Sequence, residues 1–266
     1  MKLFSRKYGE AGPPLIIIHG LYGMSDNWAT VAKELSDKFV VYTIDQRNHG
    51  RSPHSDIHDY DSMCNDLKLF FDDNNIDKAT LVGHSMGGKT VMKFAEKYPE
   101  YISAITVVDI SPKKYDHKTD AELTTDHRKI IGALLNINLE SIKTRKDADT
   151  KLSEYLNDIK LRGFLLKNLK KDNNRKFYWG LNINSINNNL ERITDKTDGI
   201  STKGIYGFPV LFIRGLKSNY ITDNDISLIR EIFPYADIVD IPEAGHWIHA
   251  EQPELFIKTL KNFLLE

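Results

Sequence analysis

The chain has 266 residues, 41% of them apolar, enough to bury a substantial core in one α/β unit with an insertion. A formal charge of −1 gives no global attraction to nucleic acid, and one cysteine, Cys64, excludes an internal disulfide and suits a reducing compartment. No apolar run of secretory length precedes Gly9, and Leu15–Ile18 is far too short to span a bilayer, so the expectation is a cytoplasmic protein without membrane insertion.

In chain order, Leu15 to Ile18 form an early buried strand that runs into His19-Gly20-Leu21-Tyr22-Gly23. A second strand near 40–45 leads into Asp45-Gln46-Arg47-Asn48-His49-Gly50-Arg51-Ser52, polar turn chemistry that braces the base of a site. His54 and His58 have helical spacing, but nearby carboxylates alone do not make a metal site, and no metal is assigned. Cys64 shares a helical pattern with Leu67, Phe70 and Phe71 and reads as packing.

The most informative segment follows. Ala79 to His84 is a strand, Lys89 to Tyr98 has helical apolar spacing, and Gly83-His84-Ser85-Met86-Gly87 lies between them. A Gly-x-Ser-x-Gly string at a strand-to-helix turn is a nucleophile elbow: Gly83 and Gly87 avoid a Cβ collision, Gly88 permits close packing, and Ser85 is lifted above the sheet in strained geometry. With that elbow in place, the early Gly20-Leu21 loop supplies one oxyanion donor, the amide of Leu21. The amide of Met86 supplies the other, and His19 braces the loop.

A serine needs a base and an orienting acid. The strand near 105–110 ends in Asp109, and in a doubly wound sheet it lies beside the strand of Ser85 with its end on the same edge. Asp109 is therefore the expected acid, its competing role being to cap the Ser111-Pro112 turn. After the strand near 209–214, Leu216, Lys217 and Ser218 follow Gly215 with no carboxylate at the commoner position; Asp223 and Asp225 further on are the alternatives. The strand near 237–241 leads into Gly245-His246-Trp247 before a last helix, Pro253 to Leu265. His246 is the expected base and His249 its rival.

Residues 113–204 are too long for one crossover and lack strand spacing, so they should form a mostly helical cap inserted in a core of 1–112 and 205–266. Leu161, Leu165 and Leu169 recur at four-residue steps as the stripe of an amphipathic helix. The segment carries 19 Lys and Arg against 13 Asp and Glu, an excess led by Lys160, Arg162, Lys167, Lys170, Lys171, Arg175 and Lys176. Such a run is ordinarily a solvated face; the sharper reading is attraction of the phosphates of an acyl-CoA.

His19-Gly20-Leu21-Tyr22-Gly23, Arg47 to Pro53, Gly83 to Lys89, Asp109 to Pro112 and Gly245 to Glu251 together resemble the α/β-hydrolase superfamily, most closely its YbfF-like esterases. The resemblance implies a mostly parallel doubly wound sheet with a helical cap, an acid after the earlier strand at Asp109, and hydrolysis of small to medium acyl esters or acyl-CoA thioesters by Ser85, His246 and Asp109. It implies no cofactor, a small-molecule partner, and a monomer or homodimer. Tyr22, His84 and Trp247 are the substrate-binding candidates. Carbon–carbon hydrolases and cofactor-free haloperoxidase-like members share the triad, and a ligand-binding receptor with residual hydrolysis stays open, because fold alone does not decide function.

Overall fold

A computed structural model describes residues 1–115, 121–194 and 204–265, and of residues 121–125 the backbone only. Its strands and helices, in chain order, begin with β1 (Ser5–Tyr8), β2 (Pro14–Ile18), α1 (Ala29–Leu35), β3 (Val40–Ile44), α2 (Tyr60–Asp73), β4 (Ala79–His84), α3 (Met86–Lys97) and β5 (Ile102–Val108). Then come α4 (Ala121–Asn136), α5 (Arg145–Ser153), α6 (Ile159–Leu166), β6 (Leu169–Lys171), β7 (Phe177–Trp179), α7 (Ile183–Asn188) and α8 (Leu190–Thr194). The chain closes with β8 (Val210–Gly215), α9 (Ile226–Ile232), β9 (Ala236–Ile241), α10 (Ile248–Glu251) and α11 (Pro253–Leu265).

Seven strands form one sheet in the order β1-β3-β2-β4-β5-β8-β9, parallel except for β1 against β3. Side chains alternate across a strand, so Ile16 and Ile18 of β2 enter one core with α2, α3 and α9, while Leu15 and Ile17 enter another with α1 and α11. Burial on both faces explains why these strands read as continuous apolar runs. The edge strand β1 escaped the sequence reading because Ser5-Arg6-Lys7-Tyr8 has no such run.

Between β5 and β8, α4 to α8 build a third apolar core of their own, which also takes in Leu21, Tyr22 and Met86 from the sheet edge. The helical expectation for 113–204 needs one amendment: β6 and β7 form an antiparallel hairpin. The stripe through Leu161, Leu165 and Leu169 is not one helix, since α6 stops at Leu166 and buried Leu169 belongs to β6. Asn168 marks the break, its side chain donating to the carbonyls of Tyr22 (2.7 Å) and Leu165 (3.3 Å). Residues 116–120 and 195–203 of the expected insertion lie outside the described residues. Among the described residues, no helix is long and apolar enough to cross a membrane.

Candidate active site

Ser85 sits between β4 and α3 with φ 53° and ψ −118°, a backbone region costly for a residue with a side chain and often found at functional turns. Its amide donates to the carbonyl of Val108 (3.0 Å), and its own carbonyl accepts from Lys89 (3.0 Å). The flanking glycines are there for space: a Cβ on Gly83 would lie 2.3 Å from the carbonyl oxygen of Gly87, and one on Gly87 would lie 2.3 Å from that of Ile18.

Asp109 follows β5, is fully buried, and has φ 49°. Its Oδ2 faces Nδ1 of His246 at 2.8 Å and also accepts from the Ser218 hydroxyl. Oδ1 accepts from the Gly215 amide at 3.0 Å. Because a carboxylate only accepts, His246 carries its proton on Nδ1 and leaves the Nε2 lone pair free to act as a base. The loop bearing His246 is pinned from two sides. Glu251 accepts from the amides of Gly245 (2.9 Å) and Trp247 (3.1 Å), and His84 Nε2 donates to the His246 carbonyl (2.8 Å).

The rival residues are engaged elsewhere. His249 is half-buried and stacked on Trp28 with centroids 4.1 Å apart, and desolvation pushes its imidazole down to about 3. Asp223 pairs with Arg214 at 2.7 Å, while Asp225 accepts from Thr222 and pairs with Lys113 at 3.3 Å.

Leu21 lies in the loop after β2, and Met86 is the first residue of α3, where an amide has no acceptor within the helix. Two buried histidines shape the first loop. His19 donates from Nδ1 to the Gly20 carbonyl (2.8 Å) and accepts at Nε2 from the Gln46 amide (3.0 Å). His49 accepts at Nε2 from the Tyr22 amide (3.2 Å) and donates from Nδ1 to the Arg47 carbonyl (2.9 Å). Burial lowers the pKa of both, favouring the neutral rings that these hydrogen bonds require. Below them, Asp45 accepts from the amides of Ser25 (2.6 Å) and Arg51 (2.8 Å), and Arg47 forms a buried pair with Asp66 (2.7 and 3.0 Å). The brace expected from Asp45 to Ser52 is therefore present in detail.

Ser85, His246, Leu21, Tyr22, His84 and Trp247 all line one cavity of about 420 Å³, so the structure brings the sequence candidates together on one edge of the sheet. Ile130, Leu156, Leu161 and Phe164 add its apolar roof, with Asp126, Lys129 and Asp158 among the polar lining. The sequence reading missed Ser218, Tyr220 and His127. Ser218 had a faint signal, a hydroxyl close behind Gly215 where a carboxylate was sought. Tyr220 stacks on the His246 ring (centroids 3.8 Å apart, planes 21°).

Three residues of the expected basic run, Arg162, Lys170 and Lys171, are placed away from this cavity's lining. Arg162 is buried against Asp149 (2.7 Å) and donates to the carbonyls of Leu156 and Asn157. Lys170 and Lys171 line a separate groove with Arg51, Lys143 and Arg145.

A strained serine at a strand-to-helix turn, a histidine from the last loop and a buried aspartate, all at one edge of a mainly parallel sheet, define a hydrolase-type site. The alpha/beta hydrolase fold family matches residues 13–253. The sn-1-specific diacylglycerol lipase ABHD11 of Danio rerio is 38% identical over 257 residues, covering 94% of this chain and 78% of that protein. Esterase YbfF of Escherichia coli is 30% identical over 251 residues, covering 94% and 92%. A solved structure of a marine microorganism esterase superposes with a TM-score of 0.94 at 48% identity, covering 98% of this chain and 99% of the other. The chain belongs to the α/β-hydrolase fold family, in the part of it occupied by esterases and lipases.

Proposed function

We propose that the protein is a serine esterase that hydrolyses small to medium acyl esters through an acyl-enzyme. One observation carries this reading: Ser85 and His246 face the same cavity, and Asp109 holds Nδ1 of His246 at 2.8 Å, leaving Nε2 as the base. His246 takes the Ser85 proton as the hydroxyl attacks the ester carbonyl, and the amides of Leu21 and Met86 stabilise the oxyanion. His246 then protonates the leaving oxygen, the C–O bond breaks, and the acid remains esterified to Ser85. Water, deprotonated by His246, attacks that ester and releases the acid.

The cavity favours neutral esters over highly charged thioesters. Among its described polar lining, Asp126 and Asp158 stand beside Lys129, whereas the groove containing Arg51, Lys143 and Arg145 shares no described lining residue with the cavity. The test is steady-state hydrolysis of p-nitrophenyl esters by wild type and Ser85→Ala, together with intact-mass detection of a fluorophosphonate adduct. Repeated turnover and a single adduct, both lost in Ser85→Ala, are expected. One turnover or none would favour a binding protein on the same scaffold.

A further inference from the structure

Two cavities meet over Ser85. The larger, of about 420 Å³, contains His246 and Trp247. The smaller, of about 40 Å³, lies on the Met86 side, with Tyr60, Ile110 and Ile193 in its wall. Leu21, Ser85, His127 and Tyr220 line both.

His127, on α4, forms the bar between them. Its Nδ1 faces the Tyr22 hydroxyl at 3.3 Å and its Nε2 faces the Tyr220 hydroxyl at 3.2 Å; the Tyr22 hydroxyl also reaches the His127 carbonyl at 3.5 Å. One tautomer uses every donor. Nδ1–H donates to Tyr22, the Tyr22 hydroxyl donates to the His127 carbonyl, and the Tyr220 hydroxyl donates to Nε2. A ring tied at both ends to residues flanking the nucleophile is a fixed wall.

The direction of the chemistry says what lies on each side. The leaving oxygen must take its proton from His246, so the leaving group belongs in the cavity that His246 lines. The acyl chain then extends to the other side, beside Met86. Resting on the esterase reading, we infer that the small pocket is the acyl subsite, the large cavity is the leaving-group subsite, and His127 is the residue that restricts the enzyme to short acyl groups. A volume of about 40 Å³ offers space for roughly three water-sized positions, which suits acetyl to butyryl. The larger volume, about 420 Å³, accommodates a bulky alcohol.

Two ester series test this. With p-nitrophenol as the common leaving group, kcat/KM is measured from acetate to decanoate; with acetate as the common acyl group, it is measured for alcohols of increasing bulk. Wild type should gain nothing in kcat/KM from butyrate to octanoate while tolerating bulky acetates, because each methylene that finds no burial forgoes its gain of about fourfold. His127→Ala should raise the octanoate-to-acetate ratio by about tenfold or more, at about fourfold for each methylene newly buried. Ile193→Ala, which removes side-chain volume from the wall of the small pocket and not from that of the large cavity, should move the ratio in the same direction. The ratio is internal to each variant, so a general loss of activity does not imitate the result. A wild-type optimum at octanoate or longer, or an unchanged ratio in both variants, overturns the inference and leaves the esterase reading standing. Failure to hydrolyse any ester, with no adduct at Ser85, overturns that reading and the inference with it.

Discussion

Asp109→Asn separates the role of charge from the role of shape, because the side chains are nearly isosteric and the carboxylate's partners among the described residues are Gly215, Ser218 and His246. Oδ1 accepts from the Gly215 amide at 3.0 Å, and Oδ2 accepts from Ser218 and faces His246 Nδ1 at 2.8 Å. In the variant the amide oxygen must keep the Gly215 contact, since two buried donors pointed at each other are costly. The NH₂ group then turns toward His246, forces Nδ1 to accept, and moves the ring proton to Nε2, where it faces the serine and disables the base. The variant also loses attraction for the imidazolium formed during the reaction. With charge centres about 4 Å apart and an effective dielectric near 20, that is roughly 4 kcal/mol, or about a thousandfold in rate at 1.4 kcal/mol per factor of ten. The tautomer error adds to this, giving an expected fall in kcat of about a thousand- to ten-thousandfold. The assay is p-nitrophenyl acetate hydrolysis at pH 8, normalised to enzyme with a matched melting temperature. A folded variant that retains more than a tenth of wild-type turnover would refute the assignment of Asp109 as the acid.

Ser218→Ala removes one charge-assisted hydrogen bond from Asp109 but leaves the carboxylate, so kcat should fall about tenfold, far less than for Asp109→Asn in the same assay. Gly83→Ala places a Cβ 2.3 Å from a backbone oxygen and should destabilise by roughly 3 kcal/mol or more in urea unfolding. Gly132→Ala, in α4 with nothing within 4 Å of the added carbon, should instead stabilise by roughly 1 kcal/mol. His58 is buried, neither ring nitrogen has a hydrogen-bond partner among the described residues, and burial pushes it from 6.5 down to about 3. The unfolded chain therefore binds more protons at this site between those pH values, and the folded state loses stability as pH falls through that window. His58→Leu should flatten the decline of melting temperature between pH 6.5 and 3; an unchanged slope would show that this site does not govern acid unfolding.

The parts legible in the sequence are those encoded over a few neighbouring residues. β2, β4 and β5 announce themselves as apolar runs because both sheet faces are covered, and the elbow is legible because steric crowding requires glycine at fixed offsets from Ser85. The chain order of the fold then led to His246, and the carboxylate at the end of β5 led to Asp109. Local pattern failed where long-range contact decides the outcome. His127 meets Tyr22 across 105 residues and Tyr220 across 93, and no motif marks His127 or Tyr220. Leu169 carries the helical spacing of Leu161 and Leu165, yet pairing of Leu169–Lys171 with Phe177–Trp179 makes it a strand residue. A strand three residues long is too short for periodicity to distinguish it from the end of a helix.

The position of the proposed acid, Asp109, follows from the same adjacency. β5 and β8 are parallel neighbours with Val108 opposite Ile213, so their ends open on the same edge of the sheet. The Asp109 amide donates to the Ile213 carbonyl at 2.8 Å, while its carboxylate crosses to Gly215 and Ser218 in the loop after β8. A carboxylate rooted on β5 thus lies among groups from the loop where the commoner pattern roots one on β8. His246 needs only an oxygen at Nδ1, and Gly215 and Ser218 supply the donors that fix that oxygen in a buried place. The missing Asp behind Gly215 is consequently no defect of the site: the hydroxyl of Ser218 there complements a carboxylate arriving from the neighbouring strand, whereas a second carboxylate would repel it.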